Sequence, residues 1–380
     1  MEKVFNKNFV LISVASLFMF TAFYLLMPII TTYIIDVFNA DSSVAGVIAS
    51  AYIITSLLTR PFTGFLVDRF DRRKFYIVVF AMFTIMMSGY ILSTSLIGLF
   101  ITRVALGASF ALVTTAANTL AIDVSPSERR ATAIGYFGAI VVLSMAVGPM
   151  LGLYLIETIS FMGLFITAFV CSICGLVLTP FIKTRPREVV EHATLSLDRF
   201  FVREGATLAA TIGLIYFFYG SLMVYVSLYI RESSISFSSA SFFLLFAFGI
   251  IASRMGIDIL MRMARTRVLL ILGILIILVS GSLFTFMLND VTFPICSILM
   301  GFGFGLVGPL IQTMIVNLVP ASRRGSATST YFTALDFGSG LGMLIGGSLV
   351  SLWGFAALYG VGLALTVLSL LLYVYSSRGK

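Results

Sequence analysis

Residues 64–74 read Gly64-Phe65-Leu66-Val67-Asp68-Arg69-Phe70-Asp71-Arg72-Arg73-Lys74. Charged side chains crowd the segment from Asp68 to Lys74, between an apolar run that begins at Ser43 and another that begins at Phe75. A run of that length crosses about 30 Å of hydrocarbon as a single helix. A cluster richer in Arg and Lys than in acids at its end fixes that end in the cytoplasm. The loop therefore orients every segment on either side of it.

Working outward, comparable runs fall at about 9–35, 43–67, 75–96, 98–122, 131–155, 160–182, 206–230, 236–260, 268–288, 292–319, 326–350 and 355–376, each near the ~20 residues that a spanning helix needs. Twelve spans put both termini on one side. The charges agree: 20 of the 24 Lys and Arg lie in the loops and termini assigned to the cytoplasm, Arg231 lies outside, and Arg60, Arg103 and Arg254 lie within helices. The outer loops carry Asp36, Asp41, Glu157, Glu232 and Asp290 instead. A missing helix would invert this asymmetry for everything after it. With 59% hydrophobic and 11% charged residues, the chain is far from a soluble domain, whose charged fraction is about 25%. The net charge of +8 reflects orientation in a bilayer, and no nucleic-acid partner is expected, because no single soluble face gathers the basic residues. The apolar run from Phe9 is too long for a cleavable signal peptide and lacks a small-residue cleavage site.

The longest polar stretch, Lys183 to Gly205, splits the chain into a six-helix bundle over 1–182, a cytoplasmic tether over 183–205 and a second six-helix bundle over 206–380. Within the tether, Leu195, Leu197, Phe200, Phe201 and Val202 alternate with charged residues as in a short amphipathic helix at the interface. The halves repeat each other. Asp123-Val-Ser-Pro-Ser-Glu-Arg-Arg-Ala-Thr-Ala133 echoes Asn317-Leu-Val-Pro-Ala-Ser-Arg-Arg-Gly-Ser-Ala327, and the offset of 194 that relates Pro126 to Pro320 also maps Arg60 onto Arg254, Gly107 onto Gly301, Gly148 onto Gly342 and Gly152 onto Gly346.

The 64–74 loop resembles the one between the second and third helices of the major facilitator superfamily, through Gly64, Asp68, Arg69, Arg72 and Arg73. Asp71 stands where that family usually has Gly, a position at which Asp tolerates positive φ better than most residues. The resemblance implies an all-α membrane fold of twelve transmembrane helices in two pseudo-symmetric six-helix bundles, with the substrate held near mid-membrane between parallel repeats. It implies that Asp68 and Arg72 clamp a cytoplasmic gate. Arg103-x-x-x-Gly107 resembles the fourth-helix motif of proton-coupled members, in which the Arg takes part in proton coupling; its repeat mate is Ser297. Gly135, Gly148-Pro149 and Gly152 resemble the fifth-helix motif of the antiporters, although Ser144 and Leu153 replace two of its glycines. Small residues four apart also let helices approach closely, and Pro bends a helix.

Charge inside the hydrocarbon is costly, by about 2.5–3.5 kcal/mol on insertion scales, which makes each such residue a functional candidate. Arg60 and Arg254 each lie ~25 Å down a helix at 1.5 Å per residue. Two readings stand: they bind an anionic group across a central cavity, or they snorkel to an interface and brace a helix junction. Asp336, midway along helix eleven, must find a partner or take up a proton. It is the first candidate for proton coupling, since the sole His, His192, lies in the tether; a fixed salt bridge to an intramembrane Arg is the alternative. Tyr24, Tyr216 and Tyr219 on helices one and seven, with Asn118 and Gln312 on helices four and ten, are candidates for the substrate cavity.

Cys171, Cys174 and Cys296 lie in apolar runs and read as packing residues. There is no phosphate-binding loop and no cluster of nucleophile, base or metal ligand, so neither an enzyme nor a cofactor is expected. The chain reads as a monomeric secondary transporter of the bacterial inner membrane, nearest in motifs to proton-coupled drug or small-molecule antiporters. It would work by alternating access and export a small organic compound against protons. The alternative is uptake or exchange of an anionic solute held by Arg60 and Arg254.

Overall fold

The computed structural model describes residues 5–27, 29–40, 42–184, 201–233, 235–237 and 239–378. Most of the tether expected over 183–205, including its amphipathic stretch up to Phe200, lies outside the described residues.

The described regular structure is entirely helical. The first expected span is built from α1 (Lys7–Leu26) and α2 (Ile29–Phe38), with Pro28 between them in sequence. The next five are α3 (Ser42–Arg69), α4 (Arg72–Leu92), α5 (Leu96–Asp123), α6 (Arg130–Thr158) and α7 (Phe161–Leu178). The second half follows with α8 (Ala206–Glu232), α9 (Ser239–Met263), α10 (Thr266–Phe286) and α11 (Thr292–Asn317). A final helical stretch, Arg324–Arg378, is broken at Gly354, where φ is 77° and ψ is 177°. That backbone geometry is readily open only to glycine, and it divides the stretch into α12 (324–353) and α13 (355–378). Among the described residues, nine helices are long and apolar enough to cross a membrane. α3, α6 and α9, of 28, 29 and 25 residues, occupy the other expected positions. The twelve-span, all-helical reading holds.

Polar residues set the helix starts. Asn6, Asp71, Ser95 and Ser160 each accept a hydrogen bond from the backbone N–H three residues on, at 2.9, 2.8, 3.1 and 3.2 Å. Each satisfies one donor that the first turn would leave orphaned. Large apolar residues such as Leu58, Ile101, Val279 and Leu344 point outward, as a helix bathed in lipid requires, since every backbone polar group is satisfied within the helix.

Backbone contacts divide the chain into two compact units. One contains Met1–Glu128, Ile140–Phe201 and Ala321–Ser329; the other contains Arg129–Ala139, Val202–Pro320 and Thr330–Lys380. The first turns of α6 and α12 are thus each grouped with the opposite half of the sequence. Within the first unit α5 packs on α3 and α4, and within the second α11 packs on α9 and α10. A Cβ built on Gly107 would run into the carbonyl of Tyr52, and one built on Gly301 into that of Phe246, the residue 194 positions further on. The repeat read from the sequence therefore reappears as a repeated helix crossing. Glycines also seat α6 on α1, where Gly152 abuts the Leu25 carbonyl, and α12 on α8, where Gly342 abuts that of Phe217.

Candidate functional site

The loop that opened the sequence reading is the hub of an ion-pair network in the first unit. Asp68, in the last turn of α3, accepts hydrogen bonds from the backbone N–H groups of Gly325 and Ser326, at 2.8 and 2.7 Å, and from the Ser326 hydroxyl at 2.9 Å. Those N–H groups open α12, where helix donors lack internal partners and the helix dipole favours a carboxylate. Arg72 forms ion pairs with both Asp68 and Asp123 and donates to the Ala321 carbonyl at 3.0 Å. Asp123 also pairs with Arg324 at 2.7 Å.

Gly64 makes this approach feasible, because a Cβ there would lie 2.6 Å from the Cβ of Ser329 and 2.7 Å from the Gly325 carbonyl oxygen. Arg69 lies over the rings of Phe65 and Phe70, and Arg73 donates to the Pro180 carbonyl at 2.7 Å. The turn geometry that the missing glycine left open at Asp71 is a helix cap: its φ is −57°, and it acts as the N-cap of α4. A capping carboxylate needs no left-handed backbone, so the missing glycine costs nothing here.

The network has a neutral counterpart in the second unit, where Arg130 donates to the Asn317 side-chain carbonyl at 2.7 Å. Shifting Asp123 and Arg130 by 194 positions gives Asn317 and Arg324, so the two links are repeat mates with their partners exchanged.

Arg60 is buried, and its guanidinium donates to the Thr114 hydroxyl at 2.7 Å and to the Thr115 hydroxyl and Ala111 carbonyl at 3.3 Å, all on α5. Its backbone carbonyl accepts from Thr63 and from Ser329. Arg103 is also buried, with its guanidinium 5.1 Å from the centre of the Tyr52 ring and within electrostatic range of Tyr90. That ring in turn meets Phe23, which stacks on Phe110. Among the described residues no carboxylate forms an ion pair with Arg103.

Arg254 has different surroundings. It donates to the Gly135 carbonyl at 3.1 Å, and its guanidinium occupies the space that a Cβ on Gly138 would need. It lies within electrostatic range of Tyr216, Tyr331 and Tyr219. Tyr216 and Tyr331 are buried. Their hydroxyl oxygens would stand 3.4 and 3.0 Å from a Cβ on Gly308. Half-buried Asp336 interacts electrostatically with Tyr331, five residues before it on α12. The structure thus gathers Arg254, Tyr216, Tyr219 and Asp336 in one unit, and Tyr331 completes the group.

Tyr24 belongs to the other unit. It stacks on Phe20 and lies against Gly148. Asn118 and Gln312 are both buried and are related by the same 194-residue shift. α6 runs without interruption through Gly148 and Pro149.

With the geometry in place, comparison with known proteins is decisive at the level of family. The model described as Major Facilitator Superfamily matches residues 12–293 and 259–380. The chain belongs to this superfamily.

Among superfamily members it is 27% identical to the multidrug resistance protein MdtG of Dickeya zeae (strain Ech586) over 374 residues, 93% of this chain and 90% of that protein. It is 27% identical to multidrug resistance protein 2 of Bacillus subtilis (strain 168) over 152 residues, 39% of this chain and 38% of that one. Among solved structures, the human organic anion transporter MFSD10 (TETRAN) superposes with a TM-score of 0.81 at 16% identity, covering 96% of this chain and 98% of that one. A bacterial homologue of the iron transporter ferroportin in an outward-facing state gives 0.79 at 15% identity, covering 98% and 100%. These likenesses show the fold. The chain is an integral membrane transporter of the major facilitator type, and not an enzyme.

Sequence reading missed Tyr331, Thr114, Thr115 and Asp123. A signal existed for Asp123, which opens the echoed segment, and for the threonines, whose repeat mates are Gly308 and Pro309. Nothing in the sequence singled out Tyr331 among fifteen tyrosines.

Proposed function

We propose that this chain is a secondary carrier of the bacterial inner membrane that exports small organic compounds in exchange for protons, as a monomer with both termini in the cytoplasm. The supporting observation is its likeness, over nearly the whole chain, to a protein named for multidrug resistance. In this reading the bodies that rock are the bundles of residues 1–182 and 206–380, with 183–205 as the tether. Asp68 and Arg72 belong to the cytoplasmic gate. The N–H and hydroxyl groups that Asp68 holds at the start of α12 must be released when that gate opens. The carboxylate is then transferred to water, which limits the net cost of opening.

Asp336 is assigned the proton. It is half-buried in a spanning helix, where an ionisable residue is rare enough to mark a functional position. Arg103, held among aromatic rings, contributes a fixed positive charge to the same coupling. Gly135, Gly148, Pro149 and Gly152 form the antiporter-like motif of this reading, in which Gly148 and Gly152 seat α6 closely on α1.

The test is counterflow of a fluorescent drug in proteoliposomes, with and without an imposed pH gradient. Wild type should accumulate substrate only with the gradient, and Asp336→Asn should retain exchange while losing acceleration by the gradient. If Asp336→Asn still responds fully to the gradient, Asp336 is not the coupling residue. If wild type ignores the gradient, proton exchange itself is excluded.

A further inference from the structure

The two intramembrane arginines that the repeat relates are accommodated in different ways. Arg60 sits among two threonine hydroxyls and a carbonyl. At the matching positions of α11 the second half has Gly308 and Pro309, neither of which can offer a side-chain acceptor. Arg254 instead lies against α6, where it donates to the Gly135 carbonyl and Gly138 leaves room for its guanidinium. There it finds one carbonyl for a group that carries five N–H donors. Among the described residues no carboxylate forms an ion pair with it, and its Nε has no hydrogen-bond partner.

A half-buried guanidinium met, among the described residues, by neutral oxygens leaves a positive potential that an anion would neutralise. The rest of the surroundings suit a particular kind of anion. Two phenolic hydroxyls converge over Gly308, where a Cβ would crowd them both. Next to them Tyr216 and Tyr219 pack with ring centroids 5.0 Å apart, and Phe304 lies 5.9 and 5.4 Å from them. Phe304 is fully buried behind these rings, whereas Tyr219 stays partly exposed. Donors at one end and the Tyr219 ring at the other match a molecule with an oxyanion head and an aromatic body.

We propose that Arg254, with the hydroxyls of Tyr216 and Tyr331, is the subsite for the oxyanion of an aromatic organic acid, whose ring packs against Tyr219. This deepens the export reading, on which it rests, by naming the substrate class. Gly308 leaves the two hydroxyls uncrowded, and Arg60, hydrogen-bonded to α5, takes no part in binding.

The experiment measures equilibrium binding of benzoate, phenylphosphonate and uncharged benzamide to the purified full chain in neutral detergent. Wild type should bind both anions and not benzamide. Arg254→Gln and Arg254→Lys should each weaken anion binding by about tenfold or more, because Lys lacks the planar fork. Tyr331→Phe and Gly308→Ala, which leave the charge in place, should weaken it by about threefold to tenfold. The last two keep the proposal testable if the Arg254 variants fail to fold, as judged by helical circular dichroism and gel filtration. Failure of both anions to bind wild type, equal binding of benzamide, or unchanged affinity in Arg254→Gln or Gly308→Ala would overturn the subsite. Phosphatidylglycerol added to the micelles should leave benzoate binding intact; abolition by the lipid would assign the site to a phospholipid headgroup instead. Anion binding that depends on Arg254 without counterflow of any compound would sink the export reading and leave the subsite standing. Drug counterflow that persists in an Arg254→Gln protein with unchanged benzoate affinity would do the reverse.

Discussion

Arg60 and Arg254 occupy the same place in the two repeats, yet the first is held by its own half's α5 and the second reaches across to glycines of α6. The difference is not in the arginines. It lies in Thr114 and Thr115 on one side and Gly308 and Pro309 on the other. Duplication supplies a positive charge at both positions, and small changes in the facing helix decide whether that charge is consumed internally or left available. The same holds where α6 and α12 begin: Asp123 ties Arg324 by an ion pair, while its mate Asn317 offers Arg130 an uncharged acceptor in a hydrogen bond of equal length, 2.7 Å in each case.

The sharpest way to break this comparison is to strip Arg60 of its hydroxyl partners. Replacing Thr114 and Thr115 together by Ala should lower stability by roughly 2–5 kcal/mol, since each buried group left unsatisfied costs about 1–3 and a charged one more. Thermal unfolding in detergent would read this as a fall in midpoint, and an unchanged midpoint would show that Arg60 does not depend on α5. Next in size, Asp123→Asn makes the charged link resemble the neutral one. Arg72 and Arg324 then lose a shared carboxylate that is largely out of solvent, and stability should fall by about 1–3 kcal/mol. Disulfide trapping between cysteines placed at the start of α12 and the end of α5 should slow in parallel.

The reverse exchange sharpens the comparison. Asn317→Asp places a carboxylate at an exposed position beside half-buried Arg130, and should add no more than about 1 kcal/mol, as surface ion pairs do. The gain should fade with added salt; a gain that persists in high salt would mean the pair is more buried than it stands here. The smallest effect is expected at Asp71. Asp71→Ala removes the cap on the Lys74 N–H and should cost about 1 kcal/mol, whereas Asp71→Gly should cost only a few tenths. If Gly proved clearly stabilising, the family's usual residue would be serving a turn that this chain does not make.

Much of the fold was legible because lipid imposes one rule on every segment. Backbone polar groups must be satisfied internally, so apolar length alone marks each helix, and the loop arginines orient it. The 194-residue echo further located helix crossings, since Gly107 and Gly301 meet backbone at matching places. The candidate site was only partly legible. Asp68, Arg72 and Gly64 were marked by their motif, but their partners in α12 lie more than 250 residues away in sequence. Local pattern carries no information about such a contact. Likewise Arg60 and Arg254 looked equivalent because the sequence shows which residues are charged, and not which hydroxyls or carbonyls surround them.

By itself, the sequence determined the number of helices, the duplication and the places where charge enters the hydrocarbon, because each depends on composition along a single segment. Only the tertiary structure decided which of those charges is quenched and which is left with capacity to spare. That outcome depends on the side chains that neighbouring helices bring alongside, and in a low-dielectric interior a threonine or a glycine at the point of contact changes the fate of an arginine.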